Sequence, residues 1–125
     1  MTSEMATDLR GLVVKRVADS IILYADFTDL LAVSGATISS VVVTCPDDAT
    51  LTIASSGVVT SQTNVPSENE AGEVVTRTIA ANKGVKATIG AGTAQAEGDD
   101  PIRILWKVTL STGEIIQRGG RLRVE

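Results

Sequence analysis

The chain contains few side chains of the kind that carry out catalysis. It has no histidine and one cysteine, Cys45, which stands beside Pro46 with no basic residue next to it. A Ser-His-Asp triad and most catalytic zinc sites need histidine, and a cysteine nucleophile needs a neighbouring cation or base that lowers its pKa. The sequence therefore predicts that the protein is not an enzyme and that Cys45 is a small buried hydrophobic residue.

Acidic pairs and one glycine-rich stretch are the remaining candidates for a ligand site. Asp47-Asp48 and Asp99-Asp100 are consecutive pairs, and Asp26 and Asp29 flank a turn. None has the spaced oxygen ligands of a calcium loop, and consecutive aspartates commonly cap turns. Gly90-Ala91-Gly92 begins like a phosphate-binding loop, but no Lys-Ser/Thr pair follows it. We therefore predict no metal, no nucleotide and no other cofactor.

Charge is distributed unevenly along the chain, which has a net charge of −4. Residues 47–100 hold eight acidic side chains against three basic ones, a net of −5, whereas residues 102–125 hold five basic against two acidic, a net of +3. The overall acidity does not suit a nucleic-acid-binding protein, and an aromatic content of 2% does not suit stacking on bases or sugars. The acidic residues 47–100 and the basic residues 102–125 are predicted to bind each other or oppositely charged neighbours. The alternative is that the acidic residues form solvated loops beside a solvated strand face.

Short segments of alternating apolar and polar residues, separated by turn signals, predict an all-β fold. The predicted strands are residues 21–27, 38–44, 51–54, 58–62, 73–81, 85–90, 102–110 and 115–124. Residues 55–57 and 82–84 are predicted turns, the second a hairpin turn with Gly84 at a positive φ. We predict an immunoglobulin-like β-sandwich of about seven or eight antiparallel strands.

The connecting segments are less regular. Residues 28–31 are predicted to form a turn that tucks Leu30 and Leu31 inward. Residues 63–72 are a predicted polar loop, and residues 91–101 a predicted mobile one. Gly119-Gly120, inside the last strand, predicts a bulge or a close backbone contact.

The first twenty residues are predicted to be an arm, with residues 21–125 forming the sandwich domain. Leu9, Val13 and Val17 recur at helical spacing, but Gly11 and the Val13-Val14 pair weaken a helix, so an extended arm is favoured and a helix stays open. The N-terminus lacks the basic and apolar regions of a signal peptide, and no apolar run reaches the roughly 18 residues that a membrane span needs. We therefore predict a soluble protein that is not associated with membranes.

Basic residues at the two ends of the chain are the candidate protein-interface residues. With strand alternation, Arg121 and Arg123 point to one face while Leu122 and Val124 point to the other. Such a strand lies at a surface, where it either binds an acidic protein patch or protects an edge against aggregation. The candidate set consists of Arg10, Lys15, Arg16, Arg118, Arg121 and Arg123. Trp106 is either the one large core residue of an aliphatic sandwich or an exposed anchor for a partner.

The order of these features resembles a family of small all-β virion proteins of tailed phages. The similar stretches are Lys15-Arg16-Val17-Ala18-Asp19, Tyr24-Ala25-Asp26-Phe27, Leu30-Leu31, Gly35-Ala36-Thr37-Ile38, Pro46, Leu51-Thr52-Ile53, Gly90-Ala91-Gly92, residues 107–114 and Arg121-Leu122-Arg123-Val124. The chain departs from the family pattern at three positions: Phe27 stands where Trp is usual, Ala36 where Asp is usual and Glu114 where Arg is usual.

The resemblance implies an assembly role in a virion. The expected function is a capsid decoration or cement protein that binds the major capsid protein and stabilises the head, made in the host cytoplasm and acting as a homo-oligomer, with a trimer favoured. Alternatives are a neck or tail structural component, or a virion-displayed receptor-binding module. No nucleic acid, membrane or cofactor is expected as a partner.

Overall fold

The computed structural model of the chain describes residues 2–7, 12–68, 71 and 73–125. It contains ten strands and one short helix among these residues. In chain order they are β1 (Thr2–Thr7), β2 (Leu12–Lys15), β3 (Ser20–Asp26), α1 (Thr28–Leu31), β4 (Ile38–Thr44), β5 (Leu51–Val58), β6 (Thr63–Glu68), β7 (Val74–Ile79), β8 (Gly84–Ala91), β9 (Ile102–Leu110) and β10 (Ile115–Val124). The predicted all-β class is confirmed, and no sheet within the described ranges closes into a barrel.

The strands form two four-stranded sheets and a separate hairpin. The first sheet has the order β1-β3-β8-β5, the second has the order β2-β10-β9-β4, and β6 pairs with β7 alone. Two ladders are parallel, β1 with β3 and β2 with β10, and the other five are antiparallel. In the part of the chain that is described, no helix is long and apolar enough to cross a membrane.

One hydrophobic core lies between the two sheets. Along β9 every second residue from Ile102 to Leu110 is buried, and Leu122 and Val124 of β10 lie beside them. From the first sheet, Leu23 of β3 and Ile89 of β8 belong to the same cluster. Trp106 is fully buried in it and is its largest side chain, so the interpretation of Trp106 as a core residue is confirmed and the exposed anchor is wrong.

The hairpin β6-β7 packs on the other face of β3. The strand alternates, so that Leu23 faces the main core while Ile22 and Tyr24 face outward, where a second cluster contains Val65 of β6 and Ile79 of β7. Both faces of β3 are therefore buried, one by the main core and the other by the hairpin. The prediction of a loop at 63–72 is therefore wrong over Thr63–Glu68, because pairing with β7 and burial of Val65 order a segment whose composition favours a turn.

Three local predictions in the middle of the chain are also wrong. Leu51–Val58 is one continuous strand with an irregularity between Ile53 and Ser55, not two strands joined by a turn. Strands β7 and β8 do not pair, and the positive φ lies at Asn82 (62°) rather than at Gly84. Gly84 is needed for packing instead, since a Cβ there would collide with Cγ2 of Ile79.

The predictions for Leu30 and for Gly119-Gly120 are also wrong. Leu31 is buried as expected, but Leu30 is 40% exposed, because the turn is a helix that presents the two side chains in different directions. The register of β10 with β9 continues through Gly119 and Gly120 without a bulge. An added Cβ on Gly120 would come no closer than 3.8 Å to any atom, so the glycine pair does not mark a close backbone contact.

The N-terminal segment is extended where it is described. Strand β1 pairs with β3 in the first sheet, and β2 pairs with β10 in the second. An arm that reaches a neighbouring subunit would have to leave these two ladders. The division at residue 20 stays a prediction.

Candidate functional site

The face of the second sheet that points away from the core is not covered by any element in the described part of the chain. Alternation along β9 buries the even-numbered residues and places Arg103, Leu105, Lys107 and Thr109 on this face. The ladders bring the partners of these residues from β10 and β4 to the same face. We call this set the outer face: Ser40, Val42, Thr44, Arg103, Leu105, Lys107, Thr109, Ile115, Gln117, Gly119 and Arg121.

The outer face combines exposed aliphatic side chains with a central lysine. Val42 and Ile115 are 58% and 57% exposed on β4 and β10, Lys107 lies between their strands beside Val42, and Leu105, two residues further along β9, is half-buried. Gly119 lies opposite Leu105 and has no side chain to cover it, so the leucine stays accessible. Lys107 is exposed and makes no hydrogen bond or ion pair with any described residue. Exposed aliphatic side chains beside a lysine that makes no ion pair with described residues are typical of a protein-binding surface.

The two sheets differ in what covers them. The hairpin packs over Ile22 and Tyr24 on the outer side of the first sheet, whereas no described element packs over the outer face of the second. The outer side of the first sheet is covered by the hairpin, whereas the outer face of the second sheet is exposed. The outer face is therefore the candidate functional site.

The predicted interface residues do not form one surface. Arg121 lies on the outer face opposite Arg103, as the strand alternation predicts, and Arg16 is exposed beyond the end of β2. Arg118 has the opposite parity: it pairs with Trp106, and its guanidinium donates to the carbonyl of Gln117 at 2.9 Å. Arg10 lies outside the described residues. Arg103, Leu105 and Lys107 were missed, although the alternation of β9 in the sequence places them together.

Lys15 is not a surface residue, which corrects the prediction that it contacts a partner. Its side chain is 2% exposed, and Nζ donates to the carbonyl oxygens of Arg16 at 2.6 Å, Ala91 at 2.5 Å and Val17 at 3.4 Å. Burial lowers the pKa of Lys15, and the nearby carboxylates of Asp19 and Asp48 partly oppose this shift. The ammonium group therefore ties β2 to the end of β8.

Arg123 holds the loop that precedes β9. Its guanidinium donates to the carbonyl oxygens of Ala96 at 3.0 Å and Asp99 at 3.2 Å. Gln95 adds two bonds to Val124, since its backbone N–H donates to the carbonyl and its side-chain oxygen accepts from the N–H. The loop at 91–101, expected to be mobile, is thus tethered to the last strand, and Arg123 is engaged within its own chain.

The acidic residues at this end of the molecule cap turns. Asp48 Oδ1 accepts from the backbone and hydroxyl of Thr50, and Asp99 Oδ2 accepts from the N–H of Ala96. An open depression of about 410 Å³ lies between Asp47 and the Asp99-Asp100 pair. Over the described ranges, no group of three or more His, Cys, Asp or Glu residues is placed to hold a metal ion.

Cys45 lies half-buried near these carboxylates. Burial, with smaller effects from the charges of Asp48 and Asp47, raises the pKa of the thiol to about 11. The thiol is therefore protonated at neutral pH, and this disfavours its use as a nucleophile.

Asp47 and Arg103 form a bidentate ion pair that joins the β4–β5 loop to β9. Arg103 Nε and the second guanidinium nitrogen donate to the two carboxylate oxygens at 3.0 and 2.9 Å, and the backbone N–H of Arg103 adds a third bond at 3.0 Å. These hydrogen bonds to Arg103 are the main cause that lowers the pKa of Asp47 to about 2.

We predict that this pair makes the free energy of unfolding depend on pH in the acid range. Because the pKa of Asp47 is lower in the folded chain than the ordinary value of 3.8, its stabilising contribution is present above pH 3.8 and is lost as the pH falls towards 2. Urea unfolding of wild type and Asp47→Asn, measured across this range, should show a weaker pH dependence in the variant. Equal pH dependence in the two proteins would contradict the assignment.

Comparison of the chain with known proteins finds no matching family model, no matching curated protein and no matching solved structure.

Proposed function

We propose that this chain is a structural protein of a tailed-phage virion, a capsid decoration protein that binds the major capsid protein and stabilises the head. The observation that carries the proposal is the outer face, where exposed Val42 and Ile115 lie near Lys107, which is unpaired among the described residues, and no described element covers them. A decoration protein acts by binding, so it needs an accessible surface of this kind. The order of sequence features shared with small phage virion proteins supplies the biological context.

We also infer that the two sheets form an immunoglobulin-like sandwich. The strand orders β1-β3-β8-β5 and β2-β10-β9-β4 support this inference, because an immunoglobulin constant-type domain has the order ABED in one sheet and CFG in the other. In that correspondence the first strand is split between the sheets, and its second half, β2, runs parallel to the last strand. The parallel ladder of β1 with β3 and the inserted hairpin β6-β7 are departures from that topology.

The chemistry of the outer face indicates what it would bind. Arg103 is neutralised by Asp47, so Lys107 contributes positive charge among the aliphatic side chains. Such a surface fits a partner patch that has aliphatic side chains around an acidic one. The partner in the proposed function is the outer surface of the capsid lattice.

Quantitative mass spectrometry of purified particles of the encoding phage tests the proposal. A decoration protein covers the lattice, so on the order of hundreds of copies per particle are expected from the repetition of the same contact. About a dozen copies would indicate a ring at the neck or tail. That result, or absence from the particle, would overturn the decoration role.

A pair of matched lysine variants tests the surface itself. Lys107→Glu places an acidic side chain on the outer face, whereas Lys86→Glu makes the same change on the outward side of the first sheet. Both lysines are exposed and make no ion pair with described residues. When purified protein is added to particles that lack it, we expect Lys107→Glu to bind at least about tenfold more weakly than wild type, and Lys86→Glu to bind normally. Equal binding by the two variants would exclude the outer face as the capsid contact.

A further inference from the structure

Two strands, β4 and β5, differ from the other eight in having no charged residue and no proline. Their sequences are Ile-Ser-Ser-Val-Val-Val-Thr and Leu-Thr-Ile-Ala-Ser-Ser-Gly-Val, whereas each of the other described strands carries at least one charge. Both stand at the end of their sheet's strand order, with one hydrogen-bonded neighbour each. Edge strands usually carry charges, prolines or bulges that prevent pairing with another chain. An edge without charges or proline is therefore a candidate for pairing.

The positions of the β-bulges distinguish the two edges. In β5 the register shifts between Ile53 and Ser55, in the middle of the strand, and this interrupts a regular ladder. In β4 the shift lies at the beginning, between Ile38 and Ser40, and Ser40–Thr44 continue in regular register with β9. The regular half of β4 therefore has a straight edge with no ladder to another described strand on its outer side, and β5 does not. At the start of β4 the N–H of Ile38 donates to the carbonyl of Asn82 at 2.9 Å, and β5 lies alongside β4 in the other sheet.

Charges at the two ends of β4 favour antiparallel pairing with a second copy. Before the strand, Lys83 Nζ donates to the carbonyl oxygen of Ala36 at 2.6 Å, and so places an ammonium group at its N-terminal end. After the strand come the carboxylates of Asp47 and Asp48. Asp47 is paired with Arg103, and Asp48 accepts hydrogen bonds from Thr50 and Thr93 but has no ion pair among the described residues, so its negative charge remains at this end. In an antiparallel pair, the C-terminal end of one strand lies beside the N-terminal end of the other. Asp48 of each copy would then lie near Lys83 of the other.

The side chains of β4 also suit contact across a two-fold axis. A two-fold axis through Val41 would pair Val42 with Ser40 of the second copy and bring the two exposed Val42 side chains to the same side of the joined sheet. Uncharged strands pair with themselves without opposing like charges. Since β4 forms the border of the outer face, the pairing would join two outer faces into one surface.

We infer that β4 is a self-pairing edge, through which two copies of this chain form a two-fold dimer by antiparallel strand addition. The second sheet of each copy would then continue as β2-β10-β9-β4 into the β4, β9, β10 and β2 of the other. The inference rests on the edge strand and its charges and holds whether or not the chain belongs to a virion.

Solution mass is the first test. Sedimentation velocity of the full chain over a wide range of concentration is expected to show the 13.0 kDa monomer at low concentration and twice that mass at high concentration. A monomer at every concentration, or a trimer, would overturn the two-fold dimer.

Two valine variants test the edge. Val42→Lys introduces a charge on the edge strand, and Val33→Lys makes the same change at a residue that is 99% exposed in the turn after α1. We expect the dimer dissociation constant to rise at least about tenfold for Val42→Lys and to stay unchanged for Val33→Lys. Circular dichroism verifies that both variants are folded, and an unchanged dimer in Val42→Lys would overturn the inference.

Hydrogen exchange of the wild-type chain distinguishes strand pairing from other contacts. Backbone amides that face outward from Ser40–Thr44 should exchange more slowly at dimer-forming concentrations than in the dilute monomer, and the exchange of those of β5 should not change.

The contribution of the charges at the strand ends is tested by Lys83→Glu, which should weaken the dimer, against Lys86→Glu, which should not. Protection of β5 alone, or equal effects of the two lysine variants, would overturn the pairing through β4.

Discussion

Replacing Trp106 with alanine is expected to cost about 3–5 kcal/mol of the free energy of unfolding. Its side chain is fully buried and is the largest in the core, and its strand lies between β4 and β10 in the middle of the second sheet. The core around it consists mainly of Val, Ile, Leu and Ala, which cannot move far enough to fill the cavity of a missing indole. Since domains of this size are stable by roughly 5–15 kcal/mol, the variant should lie near the limit of folding at room temperature.

Urea unfolding followed by far-ultraviolet circular dichroism measures this loss. Fluorescence is unsuitable, because Trp106 is the only tryptophan and the variant has no comparable signal. Trp106→Phe is the matched control. Trp106 Nε1 has no hydrogen-bond partner among the described residues, so phenylalanine should lose mainly volume and cost clearly less than alanine. A loss below about 1 kcal/mol in the alanine variant would contradict the assigned packing.

Replacing Lys15 with methionine is expected to destabilise the fold by about 3 kcal/mol. Methionine keeps the apolar stem but removes the ammonium group, which leaves three carbonyl oxygens without that donor. The lost bonds are strong ones, since a charged donor makes stronger hydrogen bonds than a neutral one, and the acceptors are partly shielded from water. The affected groups lie where β2, the end of β8 and the C-terminal residue meet, so the loss should loosen the pairing of β2 with β10.

Chemical denaturation and hydrogen exchange together test this role. Arg16→Met is the matched control, since Arg16 is the next residue in the chain and its side chain is exposed. We expect a change of less than about 0.5 kcal/mol for that variant. In Lys15→Met, the amides of Arg121–Val124 that bond to β2 should lose protection first. Equal stability of the two methionine variants would contradict a stabilising role for the three hydrogen bonds of Lys15 Nζ.

The sequence predicts some strands of the fold better than others. Strands β4, β9 and β10 have the predicted bounds: in β9 every second residue is apolar and faces the core, and β4 and β10 keep this alternation over part of their length. Strands β5 and β6 contain Ser, Gly, Asn and Pro residues that favour turns locally. Their ladder partners β8 and β7 decide their conformation. Paired residues are 27 to 40 positions apart along the chain for β5 with β8, and 6 to 16 for β6 with β7.

Sequence reasoning likewise predicts only part of the candidate site. The outward direction of Arg121 follows from strand alternation, and the same rule applied to β9 places Lys107 and Leu105 beside it. Burial of Lys15 does not follow from any local pattern, because one of its three acceptors is the carbonyl of Ala91, 76 residues away along the chain. From the sequence alone, a basic residue near a chain end is expected to be exposed. Its burial depends on a distant acceptor that only the fold places beside it.

The location of the protein in the particle tests the proposed function most directly. If the proposed function holds, electron cryomicroscopy of purified virus particles that contain this chain should show density for an all-β domain repeated over the head surface, with the outer face against the major capsid protein. Density confined to the neck or tail, or a head surface without this domain, would contradict the role as a decoration protein.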